Sequence, residues 1–415
     1  MRQIDIFKDD EIHSFISDVN QGQPGVKSDT AELDVAISVK EKSRLRLNAG
    51  TDFGNAEGSA YTNATVRNVF GGAELLSINA STGTRTRSAY NASFSTPVYG
   101  NPFVRLAVEG LRSSCQKPWA SHQEQLTGGN LRLAWVANNG DSHSLAYSGV
   151  WRQLTNLAAG ASPTVRADAG DSLKSSITHT YTRDRRDPSN PNLRQSGYLL
   201  RSVSELAGWG PLKGDVSFYK SEVELSAATP LALPGVSVGG GFRMGVLYPL
   251  PFGFNNRGGT QPSRINDRFL LGGPTDVRGF KLGGLGPHDG GDAVGGDVFA
   301  AGGVNMLLPL PRAGPSSPLR IQLFANGGRL VAFKNKGKAK EHSGSSALDS
   351  RRVMDGMKSA VGELVDGLPS MAAGVGLVYA HPVARFELNF SLPLVVRRGE
   401  EGRKGLQVGV GINFL

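Results

Sequence analysis

The chain has 415 residues, enough for two or three ordinary soluble domains or for one large β structure. Its 55 glycines are roughly twice the usual share of about 7%, but no Gly-x-y period occurs, which excludes collagen. The net charge of +9 is spread along the chain without interleaved aromatic residues, so nucleic acid is not an expected partner. The single cysteine, Cys115, excludes an intramolecular disulfide framework. A transmembrane helix is not predicted, because the sequence contains no run of eighteen apolar residues.

The first element in chain order is a short segment, residues 1–42. It carries two short candidate strands joined by a Gly/Pro-containing loop, and no apolar stretch follows its charged start as a secretory signal would require. About forty residues with one hairpin are too few for an independently stable domain. We expect this segment to be the last part of a small α+β domain, with a second unit over residues 43–415.

From residue 43 onward the dominant pattern is an alternation of apolar and polar residues, interrupted by turn residues. The first such stretch covers residues 44–53, and residues 89–98 and 383–392 repeat the pattern. The alternating residues of the first stretch include Leu45, Arg46, Leu47, Asn48, Ala49 and Gly50. This alternation fits either a soluble β-sandwich or a barrel with an apolar outside and a polar lumen.

Three observations favour the barrel. The candidate strands number sixteen, an even count, and most have the roughly nine to eleven residues that a tilted strand needs to cross a bilayer. They begin near residues 43, 57, 73, 87, 103, 124, 142, 175, 197, 215, 236, 297, 319, 371, 383 and 406. Full charges recur on the polar faces, and short turns alternate with long loops over residues 156–174, 249–296 and 334–370. The sequence therefore predicts an all-β fold, a sixteen-stranded antiparallel transmembrane β-barrel.

The long connection at residues 334–370 begins with a basic run and continues into an amphipathic helix. Apolar residues recur there at helical spacing, Ser350 is a candidate N-cap, and a Gly-Leu-Pro sequence at 367–369 ends the pattern. This helix either lies on the barrel mouth or offers a docking surface for a partner.

No catalytic constellation is found, so we do not expect an enzyme. His288, Asp289 and Asp292 lie together in a glycine-rich loop, where a metal site is conceivable but a solvated turn is the better interpretation. The sequence thus predicts neither a catalytic residue nor a metal site, and it points to binding and gating instead.

The loop between the eleventh and twelfth strands, residues 250–296, carries the tetrapeptide Val277, Arg278, Gly279 and Phe280. A guanidinium in a polar interior offers a rigid fork of donors, and glycine permits a tight turn. In this position of a sixteen-stranded barrel, the tetrapeptide resembles the BamA-like superfamily of outer-membrane β-barrel assembly and translocation proteins. The resemblance implies that the loop folds back into the lumen and that its arginine is anchored on the inner wall.

The wall anchor implied by the resemblance lies on the thirteenth strand, in Phe324, Asn326 and Gly328. The superfamily usually has an aspartate where this chain has Asn326. Alternation places Asn326 on the lumen face, so its contact with Arg278 is expected to be a neutral hydrogen bond, weaker than a charged pair. Glu387 is a nearby acid that could share the arginine.

The last strand, residues 406–415, matches the sorting signal of the superfamily at Gln407, Gly409, Ile412 and Phe414. Many barrels end this way simply to close the sheet. The resemblance adds a lateral gate: the strand at residues 44–53 and the last strand pair weakly, open, and let an incoming strand pair with the exposed edge.

Within the superfamily, a Gly-Leu-Gly-Pro stretch at 284–287 and residues 306–311 are similar to the mitochondrial branch, the central barrel of the sorting and assembly machinery. That branch implies insertion of β-barrel precursors into the mitochondrial outer membrane without a cofactor, with peripheral cytosol-facing subunits as partners. It also implies that residues 1–42 are a partial POTRA-like segment facing the intermembrane space and that residues 334–370 face the cytosol. The alternatives are a passive outer-membrane pore and a bacterial or plastid polypeptide translocase of the same superfamily.

Overall fold

The structure, a computed structural model, describes residues 6–8, 13–18, 33–54, 57–187, 193, 195–209, 213–252, 254, 260–312, 314, 317–333, 350–381 and 384–411. Its strands are β1 (His13–Asp18), β2 (Leu33–Ser38), β3 (Leu45–Gly54), β4 (Glu57–Arg67), β5 (Leu75–Gly83), β6 (Thr86–Val98), β7 (Asn101–Lys117), β8 (His122–Val136), β9 (Ser142–Thr155), β10 (Gly170–Asp184), β11 (Gly197–Ala207), β12 (Phe218–Pro230), β13 (Ser237–Pro249), β14 (His288–Asp289), β15 (Asp292–Ala293), β16 (Val298–Pro309), β17 (Leu319–Val331), β18 (Ser370–Ala380), β19 (Arg385–Val395) and β20 (Gly405–Gly411). The helices are α1 (Pro163–Ala167) and α2 (Ser350–Val365), and a 3₁₀ turn spans Pro118–Ala120.

Sixteen strands, β3–β13 and β16–β20, form one antiparallel sheet in which each strand pairs with its neighbour in this order. The predicted strand number and antiparallel order are therefore confirmed. The predicted starts lie within about three residues of the observed ones, except for β10, which begins five residues earlier at Gly170. The pairs β1–β2 and β14–β15 form two small separate sheets.

The two faces of the sheet have the reverse of a soluble protein's polarity. Along β19 the exposed side chains are Phe386, Leu388, Phe390 and Leu392. The buried side chains of the same strand are Arg385, Glu387, Asn389 and Ser391. An exposed apolar face and a buried polar lumen are what a barrel in lipid requires, because hydrocarbon solvates the outside and the polar groups pair inside. This pattern confirms the transmembrane barrel over the soluble sandwich.

The three longest connections lie at one end of the barrel, while short turns occur at both ends. Short turns join β4 to β5, β8 to β9 and β18 to β19, all at the end near the start of β3, whereas the loops after β9, β13 and β17 lie at the other end. Several strands exceed the expected length: β7 has 17 residues and β8 has 15. Their extra residues extend past a bilayer crossing on the long-loop side, where Trp119 between them packs on a cluster of loop residues.

Helix α2 falls within the segment where the sequence predicts a helix, but it packs against the outer wall of the barrel rather than over its mouth. Ala360 and Val298 belong to one cluster, and Val298 points away from the lumen because its neighbour Phe299 contacts the loop inside. In the described part of the chain, neither helix combines the length and apolar character needed to cross a membrane.

Candidate functional site

The long loop between β13 and β16, described over residues 250–252, 254 and 260–297, lies inside the barrel. We call it the lumen loop. Its side chains and those of the inner wall form one apolar cluster. The loop contributes Phe269, Leu271, Val277, Phe280 and Leu285, and the wall contributes Leu247, Phe299, Ala301, Leu330 and Ala372, among others. Packing of this kind fills the interior beside β13–β18.

Arg278 of the predicted tetrapeptide is 1% exposed and pairs with Glu387 on β19. Its Nε donates to Oε2 of Glu387 at 3.1 Å, and Nη2 lies 3.0 Å from the same oxygen in the ion pair. The guanidinium also lies over the ring of Phe324, 5.0 Å from the centroid. A charge-assisted hydrogen bond within an ion pair and an aromatic face give the arginine a fixed position in a low-dielectric interior.

Glu387 is shared by a second arginine, which the sequence did not suggest. Arg385 Nη2 lies 2.7 Å from Glu387 Oε1 and 3.0 Å from Gln322 Oε1. Asn389 Nδ2 donates to Glu387 Oε2 at 2.8 Å. One buried carboxylate therefore holds two guanidinium groups, one from the lumen loop and one from the wall.

Asn326 contacts Arg278, but through the backbone rather than through the guanidinium as expected. With its amide oriented to satisfy both groups, Oδ1 accepts from Arg278 N at 2.8 Å and Nδ2 donates to Arg278 O at 3.2 Å. An amide suits this contact, because it can both donate and accept, whereas an ionised aspartate only accepts. The carboxylate partner of the side chain is Glu387, and Asn326 holds the main chain.

Two glycines let the loop and wall approach closely. Gly279 has φ of +86°, and a Cβ there would lie 2.5 Å from the Cβ of Ala372 on β18. At Gly328 a Cβ would lie 2.8 Å from Leu271 Cδ2 of the lumen loop. Both distances are too short for carbon atoms, so any side chain at these positions would push the loop away from the wall.

The last strand is tied to the tetrapeptide through Gln407. Gln407 Oε1 accepts from Gly279 N at 2.9 Å, and Nε2 donates to Phe280 O at 3.2 Å. Gly409 also lies on this strand and is buried, whereas the predicted Ile412 and Phe414 lie outside the described residues. The family resemblance predicts that Gln407 is part of a sorting signal, and the structure adds a contact between Gln407 and the lumen loop.

The connection between β19 and β20, residues 396–404, also clasps the lumen loop, and this clasp has no counterpart in the sequence analysis. Arg403 N donates to Gly279 O at 2.7 Å, Lys281 N to Glu401 O at 3.1 Å, and Glu401 N to Gly284 O at 2.8 Å. These backbone contacts leave no pattern in the sequence. Two side chains add to them: Glu401 pairs with Lys281 Nζ at 3.0 Å, and Glu400 Oε1 accepts from Gly286 N at 3.2 Å.

The opposite wall holds the lumen loop by ion pairs. Arg152 on β9 makes two hydrogen bonds to Asp267 at 2.6 and 3.2 Å, and Arg243 on β13 bonds Asp276 at 2.8 Å. Lys220 Nζ donates to Asp267 O at 2.7 Å. The sequence indicates that these strands carry charges on their lumen faces, but it does not indicate which loop residues pair with them.

The glycine-rich end of the lumen loop forms a hairpin that fastens to the barrel rim. Asp292 accepts from Ser121 Oγ at 2.6 Å and from Ser162 N at 2.8 Å, and Asp289 accepts from Thr164 Oγ1 at 2.6 Å. The carboxylates considered for a metal thus bind hydroxyl and amide donors. Within the described residues no group of three or more His, Cys, Asp or Glu side chains has a metal-site arrangement.

The two edges of the large sheet are β3 and β20, which lie near each other. Among the described residues no hydrogen-bonded ladder joins them. On β3, Leu45 and Leu47 are exposed, as is Arg46, while Asn48 and Gly50 are half-buried. Ala49 is also exposed. The predicted first strand therefore has an apolar row outside, and within the described residues its edge beside the last strand carries no ladder.

Comparisons with known proteins agree with this architecture. A family model, the Omp85 superfamily domain, matches residues 68–414. The chain is 42% identical over 388 residues to a SAM50-like protein of Schizosaccharomyces pombe, covering 92% of this chain and 75% of that protein. It is 35% identical over 388 residues to the human sorting and assembly machinery component 50 homolog, covering 92% of this chain and 76% of that protein.

Among solved structures, the chain resembles BamA from Haemophilus ducreyi lacking POTRA domains 1–3, with a TM-score of 0.73. The match covers 99% of this chain and 76% of that one at 14% identity, so it speaks for the fold alone. The family model covers most of the chain, and the relatives exceed 30% identity over most of their length. The chain therefore belongs to the Omp85 superfamily and, within it, to the SAM50 group of barrel subunits.

Proposed function

We propose that this chain inserts β-barrel precursors into the mitochondrial outer membrane through a lateral gate between β3 and β20. Membership of the Omp85 superfamily and the SAM50 group supports a role in β-barrel assembly and insertion, as a barrel of the sorting and assembly machinery. The lateral gate is supported by the two edges of the large sheet, β3 and β20, which have no ladder between them in the described residues.

An unpaired strand edge in a membrane is unstable by itself. Each backbone N–H or C=O that lacks a partner in hydrocarbon costs several kcal/mol. A precursor strand that pairs with such an edge removes this cost, and its apolar face is then buried in lipid. Insertion by this route draws its free energy from strand pairing and lipid burial, so no cofactor is needed.

The two sides of the gate have different supports, and we propose that they move differently. β20 is held from inside by Gln407, which binds Gly279 and Phe280, and it pairs with β19 over seven residues. The lumen loop is itself fixed by Glu387 and Arg152. β3 pairs only with β4 among the described strands. In this proposal β20 stays in place on the lumen loop when the gate opens, and β3 moves.

A passive pore is the competing function, and the interior argues against it. Val277 and Phe280 are fully buried between the lumen loop and the wall. The loop is attached on opposite sides, to β9 through Arg152 and to β19 through Glu387. A loop attached to two opposite walls obstructs a wide aqueous channel. The same attachments would hold one strand edge in place, as a lateral gate requires.

The remaining parts of the proposal concern orientation and partners. The hairpin β1–β2, extended by a bridge between Phe7 and Glu41, is proposed to be the end of a POTRA-like segment over residues 1–42 that faces the intermembrane space. Residues 334–370 are then proposed to face the cytosol, where peripheral subunits would bind. Of that loop the structure describes residues 350–370.

A disulfide lock tests the gate. In a Cys115→Ser background, cysteines are placed in pairs on β3 and β20, at residues 45–50 and 406–410. We expect oxidation to abolish precursor insertion by mitochondria carrying the variant and reduction to restore it. The matched control is the pair Ala64→Cys and Ile78→Cys, which face each other across the intact β4–β5 ladder. Unimpaired insertion with a locked seam would contradict the lateral gate.

A further inference from the structure

Helix α2 is attached to the outside of the barrel at the long-loop end. Its Ala360, Met357 and Leu364 pack against Val298 and Val331, which are cross-strand partners on β16 and β17. The neighbours of these two valines, Phe299 and Leu330, belong to the lumen cluster. Side chains alternate along a strand, so the valines face outward and the helix lies on the surface that the bilayer surrounds.

A second apolar row on α2 is exposed in the described structure. Met354, Val361 and Val365 recur at helical spacing with exposed fractions of 52%, 42% and 81%, and Leu368 follows at 71%. This row continues the apolar outer belt of the barrel. A helix with one face on protein and an adjacent apolar row beside that belt lies in the membrane interface with the row turned toward acyl chains.

Between the C-terminal half of α2 and the wall there is a cleft of about 610 Å³. Its outer wall positions on β16 and β17 carry small residues, Gly302, Ala325 and Gly327, where other strands carry leucine, valine or phenylalanine. Its rim includes Phe242 and Val304, which are exposed members of the lipid-facing belt. The volume is in the range of small-molecule sites, about 300–1,000 Å³.

Among the described residues that line the cleft, Arg329 is the charged one. Arg329, Gly327 and Ala325 follow one another on the outer face of β17, running from the rim of the barrel toward its middle over about 13 Å. Arg329 lines the cleft near the end of α2, where Nη1 donates to Asp366 O. A cation at headgroup depth and an apolar trench toward the bilayer centre match one phospholipid, with its phosphate near Arg329 and one chain along Gly327 and Ala325.

We propose that the cleft beneath α2 binds a single phospholipid of the surrounding leaflet, which completes the packing of α2 on the wall. This site is independent of the lateral gate, because it lies on β13, β16, β17 and β18, away from β3 and β20. The continuity of the cleft with the lipid-facing belt identifies the occupant as lipid rather than a protein segment.

Native mass spectrometry of the full chain tests the site after extraction from nanodiscs of phosphatidylcholine containing a smaller share of phosphatidylinositol. We expect the wild type to retain one phospholipid. Ala325→Trp, which fills the trench, and Val365→Asp, which places a carboxylate at its entrance, should both lose that mass. Val365 is 81% exposed, so the second substitution tests the site even if the first fails to fold.

Matched controls carry the same changes elsewhere. Ala92→Trp lies on the exposed face of β6, and Ser359→Asp lies at an exposed position of α2 outside the cleft. Both should retain the lipid as the wild type does. Equal lipid retention by all five proteins would overturn the proposal. A wild type without retained lipid would also overturn it, and would point to a protein occupant.

Discussion

Glu387 is predicted to matter more for barrel stability than Arg278, although Arg278 belongs to the recognisable tetrapeptide. Glu387→Gln removes the carboxylate that both Arg278 and Arg385 contact, at 3.0 and 2.7 Å. Removing one partner of a buried ion pair costs about 3–5 kcal/mol. Arg278→Met leaves Glu387 paired with Arg385, so it loses mainly charge-assisted hydrogen bonds worth about 1.5–3 kcal/mol.

The difference is measured by reversible denaturant unfolding of the barrel in lipid vesicles, followed by tryptophan fluorescence. Glu222→Gln is the matched control, since Glu222 faces Arg243 at 2.8 Å but is 31% exposed in its side chain, and such pairs contribute at most about 1 kcal/mol. The expected order of destabilisation is Glu387→Gln, then Arg278→Met, then Glu222→Gln. If Arg278→Met proved as costly as Glu387→Gln, the shared-carboxylate reasoning would be wrong.

Three further predictions concern turns and the last strand. Asp141 sits in the turn before β9, and its hydrogen bond with Arg183 lowers its pKa from 3.8 to about 2. Its stabilising effect is therefore complete above about pH 4 and lost as the pH falls toward 2, so Asp141→Asn should flatten the pH dependence of the unfolding midpoint in that window. Gly279→Ala should destabilise by about 1–3 kcal/mol more than Gly291→Ala in the same unfolding assay, because both glycines have positive φ but only Gly279 faces the wall. Gln407→Leu should raise the hydrogen-exchange rate of the β20 amides and leave that of the β18 amides unchanged. The same change in rate in both strands would contradict the proposal that Gln407 holds β20 on the lumen loop.

The barrel itself was predictable from sequence because its signal is repeated sixteen times. Alternation along β19 fixes which side chains face the lumen, and turn residues fix most strand starts. The start of β10 was missed by five residues since Gly170, Asp171 and Ser172 have the composition of a turn. They form a strand because Leu154 and its neighbours on β9 offer a partner edge, which is a tertiary effect.

The lumen loop was predicted to enter the barrel, but its contacts required the structure. Alternation places both Asn326 and Glu387 on the lumen face, yet it does not say which of them reaches the guanidinium of Arg278. That choice depends on the path of the loop, which passes with its backbone against Asn326 and its side chain toward β19. The contacts of residues 396–404 with the lumen loop are made mostly by backbone groups, and the sequence spacing does not indicate the two side chains that join them, Glu400 and Glu401.

The gate is tested by site-specific cross-linking of an arrested precursor. A photoreactive residue is placed at Arg46 or Asn48 on β3 and, as a control, at Asn79 in the middle of β5, which is paired on both sides. We expect the precursor's last strand to cross-link to both β3 positions and not to the β5 position. Cross-links that are absent from β3, or no stronger there than at β5, would contradict insertion through this seam.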